Sequence, residues 1–454
     1  MRNRVVITGL GVLSAIGQNT DEFWKSCLEA KSRVERIPEH WLHYGDFHSQ
    51  ILSPLPPMDY SSYGIGRIEE KQLDPSSLIA LACSFQALDS AGLEYTTLDR
   101  KRNTYSISSL DKDRTGVFMG TGIGGLSTFA SCFSYQVLLR QKEKLAKAIG
   151  QLGDHPIREI LQQVHDRMLH ARRFNPFAVS MTMPNAGSAN VGIKFNLRGS
   201  NNAYSAACAS GTVAIGYGFK AVRSGELDAA LVGGVEYLRD DYGAVFTGFD
   251  AVRALALDND HPDRANRPFD KDRTGFLFSE GGGAVFVIED LEHAQKRGAR
   301  IFAEIIGYGE TCDGFNIMMM ESSGAQITRM LELAFADAAI SAGEIDYINA
   351  HGTGTRLNDE TETAVIEQVF RKDVLINSTK SLIGHTLGAS GAIETLVTAL
   401  SILHKTTHVC RNLDNPMKDL NFVTKVDPYP ICTGLSQSFG FGGHNAVLIL
   451  REYR

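Results

Sequence analysis

The chain has 454 residues, of which 43% are apolar and 21% are charged, a composition typical of an ordinary globular protein. Its 52 acidic residues outnumber its 45 basic ones and give a formal net charge of −7. This balance argues against nucleic acid as the main partner, because phosphate binding needs a positive field. The seven cysteines are scattered and form no C-x-x-C pair, so neither a disulfide framework nor a metal site is expected. A reducing cytoplasm fits this cysteine usage.

The opening stretch, MRNRVVITGLGVLSAIG, has two interpretations. Its arginines and the apolar run after them could form a secretory signal peptide, whereas RVVITGLG could form a buried strand that ends in a glycine turn. Gly9 and Gly11 interrupt the apolar run and favour the strand. No run approaches the ~20 apolar residues that a membrane-spanning helix needs, so no membrane partner is expected.

Short apolar runs alternate with longer helical patterns along the rest of the chain. Strands are predicted at 4–9, 115–120, 228–234, 283–289, 345–350 and 445–450. Helices are predicted at 74–92 and 324–343. Continuous apolar strands separated by helices indicate an α/β protein whose sheets are covered on both faces.

A weak internal repeat links segments that lie far apart in the chain. The paired segments are 115–125 with 345–355, 208–226 with 384–402, and 281–289 with 442–450. The repeat predicts two related α/β halves, residues 1–290 and 291–454, with an additional helical segment at about 130–175 in the first half. Because the spacings within the halves differ, chance similarity among glycine-rich turns is the alternative.

Cys208 lies in the stretch SAACAS, just before a run of small and apolar residues that suits a buried helix ending near Gly225. A thiol in the first turn of such a helix feels the positive end of the helix dipole, which lowers its pKa and favours a nucleophilic thiolate. The alternative is structural, since a free cysteine is among the most buried residue types.

The stretch NAHGTGTRLND, residues 349–359, places His351 at the end of a predicted strand. The strand would fix the backbone position of the histidine, and the glycines after it would leave open space in front of the ring. Thr353 and Thr355 could hydrogen-bond the amides of a ligand that passes through this space.

The stretch STKSLIGHTLGASGAIE, residues 378–394, contains Lys380, His385 and Glu394. A single histidine is more often a capping or core residue than a catalytic one. Here His351 and His385 occupy glycine-rich turns of one half while Cys208 lies in the matching helix of the other, and this arrangement favours catalysis. The turn in SQSFGFGGHN, residues 436–445, could bring backbone N–H groups to a ligand, although a plain hairpin would look similar.

Taken together and in order, these motifs resemble the β-ketoacyl-acyl carrier protein synthases, specifically the elongating type II ketosynthases of the thiolase-like fold. The resemblance runs from RVVITGLGVLSAIG to SFGFGGHNAVLIL and includes RANRPFDKDRTGFLFSEGGG at 264–283. It implies an α/β fold of two related halves in a layered α-β-α-β-α arrangement. It also implies a dimer, an acyl carrier protein as partner, and no cofactor, since the phosphopantetheine of the carrier holds the substrates.

The resemblance implies a decarboxylative condensation that extends an acyl chain by two carbons. Cys208 would accept the acyl group, and the backbone N–H groups of Cys208 and Phe441 would hold the oxyanion. His351 and His385, as neutral imidazoles, would donate to the enolate that forms when a malonyl thioester loses CO₂. Lys380 would order His385 and bias its protonation.

Other residues are assigned to substrate binding and support by the same resemblance. Glu394 would pair the charge of the catalytic lysine, and Thr353 and Thr355 would lie beside the phosphopantetheine arm. Ile123 and Phe441 would gate the acyl pocket. The entrance would be lined by Phe249, although ordinary core packing would explain these apolar residues equally well.

The chain departs from the family at surfaces that choose the substrate. The stretch GRIEEKQLD, residues 66–74, mixes charges where a basic carrier-docking patch is usual, while residues 140–173 hold eight basic and four acidic side chains. A solvated helical face is favoured there over a relocated partner surface, and its histidines lack a ligand cluster for a metal. Arg356 and His444 stand where proline and threonine are common.

These departures leave alternatives open. A specialised polyketide or polyene ketosynthase, paired with a non-catalytic chain-length-factor subunit, is the main one, so the dimer could be a homodimer or a heterodimer. A thiolase would need a second cysteine in the C-terminal glycine loop, and FGFGGHN has none. A non-catalytic subunit is disfavoured because Cys208 is present. Chain length and saturation of the acyl group are not set by the sequence.

Overall fold

The computed structural model describes residues 2–169 and 174–454. The strands are β1 (Val5–Leu13), β2 (Glu35–Arg36), β3 (Ile51–Leu52), β4 (Tyr95–Asp99), β5 (Thr104–Ile107), β6 (Thr115–Gly120), β7 (Asn201–Tyr204), β8 (Ala229–Tyr237), β9 (Gly281–Asp290), β10 (Ala303–Cys312), β11 (Tyr347–Asn349), β12 (Leu375–Asn377), β13 (Thr433–Gly440) and β14 (His444–Arg451). Every strand predicted from an apolar run is present.

The α-helices of the described residues include the predicted ones, which are now α3 and α12. They are α1 (Thr20–Leu28), α2 (Arg67–Glu70), α3 (Pro75–Ser90), α4 (Leu126–Gln151), α5 (Ile157–Arg167), α6 (Ala178–Thr182), α7 (Ala186–Lys194), α8 (Ser210–Arg223), α9 (Ala244–Ala251), α10 (Pro262–Ala265), α11 (Leu291–Lys296), α12 (Ala325–Ala338), α13 (Arg356–Val369), α14 (Lys380–Ile383) and α15 (Ser390–His404).

The main sheet repeats one strand order twice. Its ten strands run β12-β11-β13-β14-β10-β1-β9-β8-β6-β7. Read outward from the centre, each set of five has two antiparallel pairings followed by two parallel ones. The sets join where β1 pairs antiparallel with β10, between Val5–Ile7 and Ala303–Ile305. The boundary at residues 290 and 291 stays a prediction, but the repeated order agrees with the internal repeat.

The side chains of β9 show how the layers are arranged. Phe286 and Ile288 belong to the inner core, which also contains α8, α15 and strands from the second set. Val285 and Val287 point the other way, into a core shared with α3. On the far side, α12 packs on β14 in a third core. Helices therefore lie outside and between the two strand sets, which confirms the thiolase-like α-β-α-β-α arrangement.

The helices of the central layer, α8 and α15, begin alike and touch through small residues. Each starts with a Ser-Gly pair, at Ser210 and Ser390. A side chain at Gly391 would collide with Oγ1 of Thr212, and one at Gly211 would lie 2.9 Å from the backbone nitrogen of Ala392. This close approach brings together the two segments that carry Cys208 and His385.

Among residues 2–169 and 174–454, one helix is long and apolar enough to qualify as a membrane span by length and composition alone. Residues Leu387–His404 form this apolar 18-residue window, but 89% of it is buried inside the fold. The window covers α15, whose apolar surface is used by the central layer. Length and composition are therefore weak grounds for a membrane span here.

The first half contains an extended helical region that includes α4 and α5. Phe129 and Phe133 of α4 are exposed and stack on each other at 6.3 Å between ring centroids. Lys142 donates a hydrogen bond to the carbonyl of Met168, which ties α4 to the end of the region. Residues 170–173, which include His170, Arg172 and Arg173 of the basic segment, lie outside the described residues.

Candidate active site

Cys208 lies in the turn between β7 and α8, two residues before the helix begins. The turn is tight, because Ala207 has a positive φ of 48°. Ser210 holds it closed: its Oγ accepts from Ala206 N at 2.8 Å and donates to the carbonyl of Ala207 at 2.6 Å. Only 7% of Cys208 is exposed, so the thiol is fixed and largely shielded from water.

The Cys208 thiol faces an imidazole and a backbone donor. Nε2 of His385 lies 3.1 Å from Sγ, and the backbone N–H of Phe441 hydrogen-bonds the sulfur. Burial raises the pKa of the thiol to about 12, although the nearby charge of Lys380 and the Phe441 N–H both lower it. The expectation that the pKa of the thiol would be lowered is therefore wrong, because burial outweighs the groups that lower it. The thiol is protonated at neutral pH, and His385 is the base within reach.

His385 is held from both sides of its ring. Its backbone N–H donates to the carbonyl of Leu277 at 2.8 Å, and Nδ1 lies 3.0 Å from Oγ of Ser390. The ring also packs edge-on against Phe276 at 5.2 Å between centroids. A hydroxyl can either donate or accept, so Ser390 can support both tautomers of the imidazole. The sequence analysis missed Ser390, because a serine at the start of a helix reads as an ordinary cap.

Lys380 is hydrogen-bonded to His351 and not to His385, so the expected ordering of His385 is not seen, although the charge of Lys380 does bias the protonation of His385. Its Nζ lies 3.1 Å from Nδ1 of His351, 2.7 Å from the carbonyl of the same residue and 2.5 Å from Oε1 of Glu394. An ammonium group can only donate, so Nδ1 of His351 accepts and the ring proton lies on Nε2. The ring centroids of His351 and His385 are 5.5 Å apart.

Burial controls the charge states of this group. It lowers the pKa of His351 and of His385 well below 6.5, and the positive charge of Lys380 lowers both further. Both imidazoles are therefore neutral at neutral pH, as the condensation chemistry requires. Burial raises the pKa of Glu394 to about 7, while Lys380 acts in the opposite direction.

Two buried glutamates that the sequence analysis missed hold the glycine turns. Glu362 accepts from the backbone N–H groups of His351 at 2.7 Å and Gly352 at 2.8 Å. Glu236 accepts from Gly122 at 2.5 Å and from Gly388 at 3.1 Å, and so links the two halves. Burial raises the pKa of each glutamate to about 7. No local motif marks them, since each glutamate is recognised only by the backbone N–H groups and side chains that the fold brings to it.

A cavity of about 640 Å³ leads to Cys208, His351 and His385. The residues assigned to substrate binding that line it are Thr353, Thr355, Phe249 and Phe441. The hydroxyls of Thr353 and Thr355 lie 2.9 Å apart, and the rings of Phe249 and Phe441 are 6.2 Å apart. Ile123 does not line this cavity. It is 40% exposed in the turn held by Glu236, and its role in an acyl pocket stays a prediction.

The histidines of the basic segment are not assigned as metal ligands from the sequence. Within residues 2–169 and 174–454, no group of three or more His, Cys, Asp or Glu side chains is placed to hold a metal ion. His155 and His165 lie near α5 on the helical surface, where His165 contacts Asp166 at 3.0 Å.

A buried cysteine that faces neutral imidazoles, carried by the two halves of a thiolase-like fold, defines an acyltransferase. Residues 2–294 match the family model of the β-ketoacyl synthase N-terminal domain, and residues 302–414 match that of the C-terminal domain. The chain belongs to the β-ketoacyl synthase family, and the resemblance found in the sequence is confirmed.

Curated relatives and solved structures agree over the full length. The 3-oxoacyl-[acyl-carrier-protein] synthase 2 of Synechocystis sp. is 33% identical and covers 100% of this chain and 99% of its own. The enzyme of that name from Rhizobium meliloti is 35% identical, with 99% of each chain covered. A β-ketoacyl synthase from Burkholderia phymatum and the ishigamide ketosynthase/chain length factor are each 29% identical, with TM-scores of 0.81 and 0.80 and 100% coverage of both chains.

Proposed function

We propose that this ketosynthase condenses an acyl group on Cys208 with malonyl-acyl carrier protein, as in fatty-acid elongation. The observation that carries the proposal is the 3.1 Å contact between Sγ of Cys208 and Nε2 of His385, with the His351 ring beside it. The names of the curated relatives support the carrier protein as partner and the fatty-acid type of reaction.

The first half-reaction loads Cys208. An acyl thioester binds with its carbonyl oxygen toward the backbone N–H groups of Cys208 and Phe441, which stabilise the oxyanion. As the sulfur attacks, its proton passes to Nε2 of His385, because the pKa of about 12 leaves little thiolate beforehand. The carrier thiolate then leaves and takes that proton from His385.

The second half-reaction forms the carbon–carbon bond. The malonyl thioester carbonyl accepts hydrogen bonds from Nε2–H of His351 and of His385, which stabilise the enolate as CO₂ leaves. The enolate carbon attacks the acyl carbon on Cys208, and the bond from that carbon to sulfur breaks. The Cys208 thiolate takes a proton from solvent, and the β-ketoacyl thioester departs on its carrier.

The remaining substrate contacts follow from the cavity. Thr353 and Thr355 line its wall and offer hydroxyls to the amides of the phosphopantetheine arm. Phe249 and Phe441 would gate the approach, and Ile123 would limit the acyl pocket. The derived steps need no cofactor, because decarboxylation itself supplies the carbanion.

A polyketide or polyene ketosynthase is the second candidate function. Two observations favour it: the similarity to the ishigamide ketosynthase/chain length factor, and the unusual Arg356 in the wall of the cavity. In that case the chain would pair with a non-catalytic subunit. The two candidates share the chemistry and differ in the acyl group and the partner.

The edge of the sheet supports a dimer. Strand β7 is an edge strand, and Asn201 and Asn202 on it are exposed. An uncovered edge strand is a surface for pairing with another chain. We propose a dimer in the cytoplasm, a homodimer for fatty-acid elongation or a heterodimer for the polyketide candidate, with the acyl carrier protein as a transient partner. Sedimentation at the mass of one chain would contradict the dimer.

Intact-protein mass spectrometry tests the function directly. The enzyme is incubated with acyl carrier proteins that bear saturated or polyunsaturated chains of several lengths. Addition of saturated acyl groups to the wild type, and to no site in Cys208→Ala, supports fatty-acid elongation. Labelling by unsaturated chains only, or only with a second subunit, supports the polyketide candidate. Condensation by Cys208→Ala would contradict both.

A further inference from the structure

Glu236 is a buried carboxylate that holds two turns, one from each half of the chain. Its Oε2 accepts from the backbone N–H of Gly122 at 2.5 Å and of Gly388 at 3.1 Å. Its Oε1 accepts from the hydroxyl of Thr121 at 3.0 Å and from the N–H of Ile123 at 3.3 Å. These four partners are neutral donors, and an ionised acceptor makes the stronger kind of hydrogen bond with them. The position of each turn therefore depends on one side chain.

The two turns are in direct contact beside the segment that carries the nucleophile. A Cβ at Gly388 would lie 2.2 Å from the backbone nitrogen of Gly122, and one at Gly122 would lie 2.7 Å from Oε2 of Glu236. The Gly122 carbonyl also accepts from the hydroxyl of Ser205, three residues before Cys208, at 3.3 Å. A shift of one turn would therefore displace the other, because no space separates them.

The two turns carry groups with different expected roles. Ile123 stands in the first turn, 40% exposed, and is the residue expected to limit the acyl pocket. Gly388 follows Leu387, which lines the cavity and packs in one apolar core with Cys208. Leu387 has a positive φ of 46°, a strained conformation for leucine that neighbouring contacts must maintain. Glu236 thus joins the predicted end of the acyl pocket to the wall beside the reactive thiol.

We infer that Glu236 is a positioning residue that fixes the Ile123 turn against the Leu387 turn and thereby limits the length of the acyl chain that Cys208 accepts. The inference rests on the proposed function, which places an acyl group on Cys208. Glutamine at position 236 has the same shape, but one of its two polar atoms belongs to an NH2 group that can only donate. In either orientation of the amide, that NH2 group faces at least one backbone N–H. Glu236→Gln should therefore release one turn without leaving a cavity.

The test measures acylation of Cys208 by rapid-quench mass spectrometry, with saturated acyl groups from hexanoyl to stearoyl on one carrier protein. The rejected chain is the shortest one, among those longer than the best chain, that acylates the wild type about tenfold more slowly or worse. The quantity compared is the rate with the rejected chain divided by the rate with the best chain. Loss of folded enzyme lowers both rates equally and cancels in this ratio. Assays are run at pH 8, above the pKa of about 7 that burial gives Glu236.

Two further variants accompany Glu236→Gln. Glu289→Gln is the matched control, because Glu289 is equally buried and accepts from Nε of Arg297, at 2.9 Å, and not from a turn of the site. Ala229 pairs with Glu289 and lies seven residues from Glu236 along β8, a distance of about 23 Å. Thr121→Val removes one donor to Glu236 and keeps the shape of the side chain.

We expect Glu236→Gln to raise the ratio about tenfold, because the Ile123 turn no longer stops the longer chain. Thr121→Val should raise it less, and Glu289→Gln should keep the wild-type ratio. An unchanged ratio in Glu236→Gln would overturn the inference, as would an equal rise in Glu289→Gln or a wild type that rejects no chain. If Glu236→Gln does not fold, an unchanged ratio in Thr121→Val overturns it. A wild type that no carrier protein acylates would instead contradict the proposed function.

Discussion

At the scale of single residues, the site combines a poorly acidic thiol with a base that is already neutral. Burial raises the pKa of Cys208 and lowers that of His385, so neither group is charged at neutral pH. A neutral pair avoids the cost of holding separated charges in a buried site. Charge then develops only when the thiol meets an acyl group.

This pairing predicts an unusual pH dependence of Cys208 acylation. If a preformed thiolate attacked, the rate would rise about tenfold per pH unit below its pKa. Because neutral His385 accepts the proton, we expect a nearly flat rate from pH 7 to 9 in the wild type. His385→Ala should be slower and should acquire the tenfold slope. Rapid-quench mass spectrometry of the first turnover measures both, and a steep wild-type profile would contradict the neutral pair.

Lys380 should affect the two half-reactions differently. It contacts His351 directly and sets the proton of that ring on Nε2, whereas His385 and Cys208 are not its hydrogen-bond partners. We expect Lys380→Met to slow condensation about 100-fold or more while acylation stays within a few-fold of the wild type. Acylation assays and product assays on one preparation measure both, with exposed Lys372→Met as control. Equal loss of both steps would contradict the assignment.

Sequence reasoning predicted which candidate catalytic residues meet at the site but not all of their hydrogen-bond partners. Recognisable glycine-rich motifs surround three residues, Cys208, His351 and His385. The structure brings these three side chains to one cavity. The partner of Lys380 depends on the chain reversal at Gly384, whose φ is 72°, and that reversal turns His385 away toward the thiol. The thiol pKa could not be predicted either, because burial outweighs any stabilisation from the helix.

At the scale of elements, the contact between α8 and α15 sets the distance between Cys208 and His385. Their small residues let the helices approach closely, and Thr212 of α8 also contacts Ser438 of β13, with 2.8 Å between the two hydroxyl oxygens. Larger side chains would push the helix starts apart. The reactive segments are attached to those starts, so packing and chemistry are coupled.

Gly391→Ala should therefore reduce both stability and activity. The added methyl would meet Oγ1 of Thr212 and lie 2.7 Å from Oγ of Ser438. Overpacking of this kind costs about 1–3 kcal/mol. Thermal unfolding and condensation assays measure the two effects. The control is Gly150→Ala in α4, where an added Cβ meets nothing within 4 Å and should stabilise slightly. Equal behaviour of the two variants would contradict the coupling.

The elements that sequence patterns predicted share a continuous apolar run. β8 and β9 are buried along almost their whole length, and α3 is nearly all buried. The β4 strand was not predicted, because its residues are largely exposed and polar. The pairing of β1 with β10 also could not be predicted from a local sequence pattern, since it depends on how the two halves pack together.

At the scale of the whole molecule, Glu236 is a buried connection between the halves. It lies in β8 of the first strand set and accepts from Gly388, which belongs to the turn before α15. Burial raises its pKa from the ordinary 4.5 to about 7. Proton binding by this glutamate is therefore linked to assembly of the two halves.

The sign of this linkage gives a measurable stability effect. A carboxyl whose pKa is raised on folding adds stability below pH 4.5, and that stability is lost as the pH rises through 7. Glu236→Gln lacks this titration. We expect the free energy of unfolding of the wild type, relative to the variant, to fall by about 2–3 kcal/mol between pH 5 and pH 8. Denaturant unfolding at both pH values measures it, and a constant difference would contradict the raised pKa.

The matching starts of α8 and α15 have a consequence for stoichiometry. The stretch Cys-Ala-Ser-Gly at 208–211 corresponds to Gly-Ala-Ser-Gly at 388–391, so Gly388 stands where a second nucleophile would be. A side chain there would collide with the backbone nitrogen of Gly122 and lie 2.5 Å from Oε2 of Glu236. The equivalent position in the second half is therefore occupied by groups of the first half. Although the scaffold is doubled, the proposed function predicts one acyl group per chain in a given turnover.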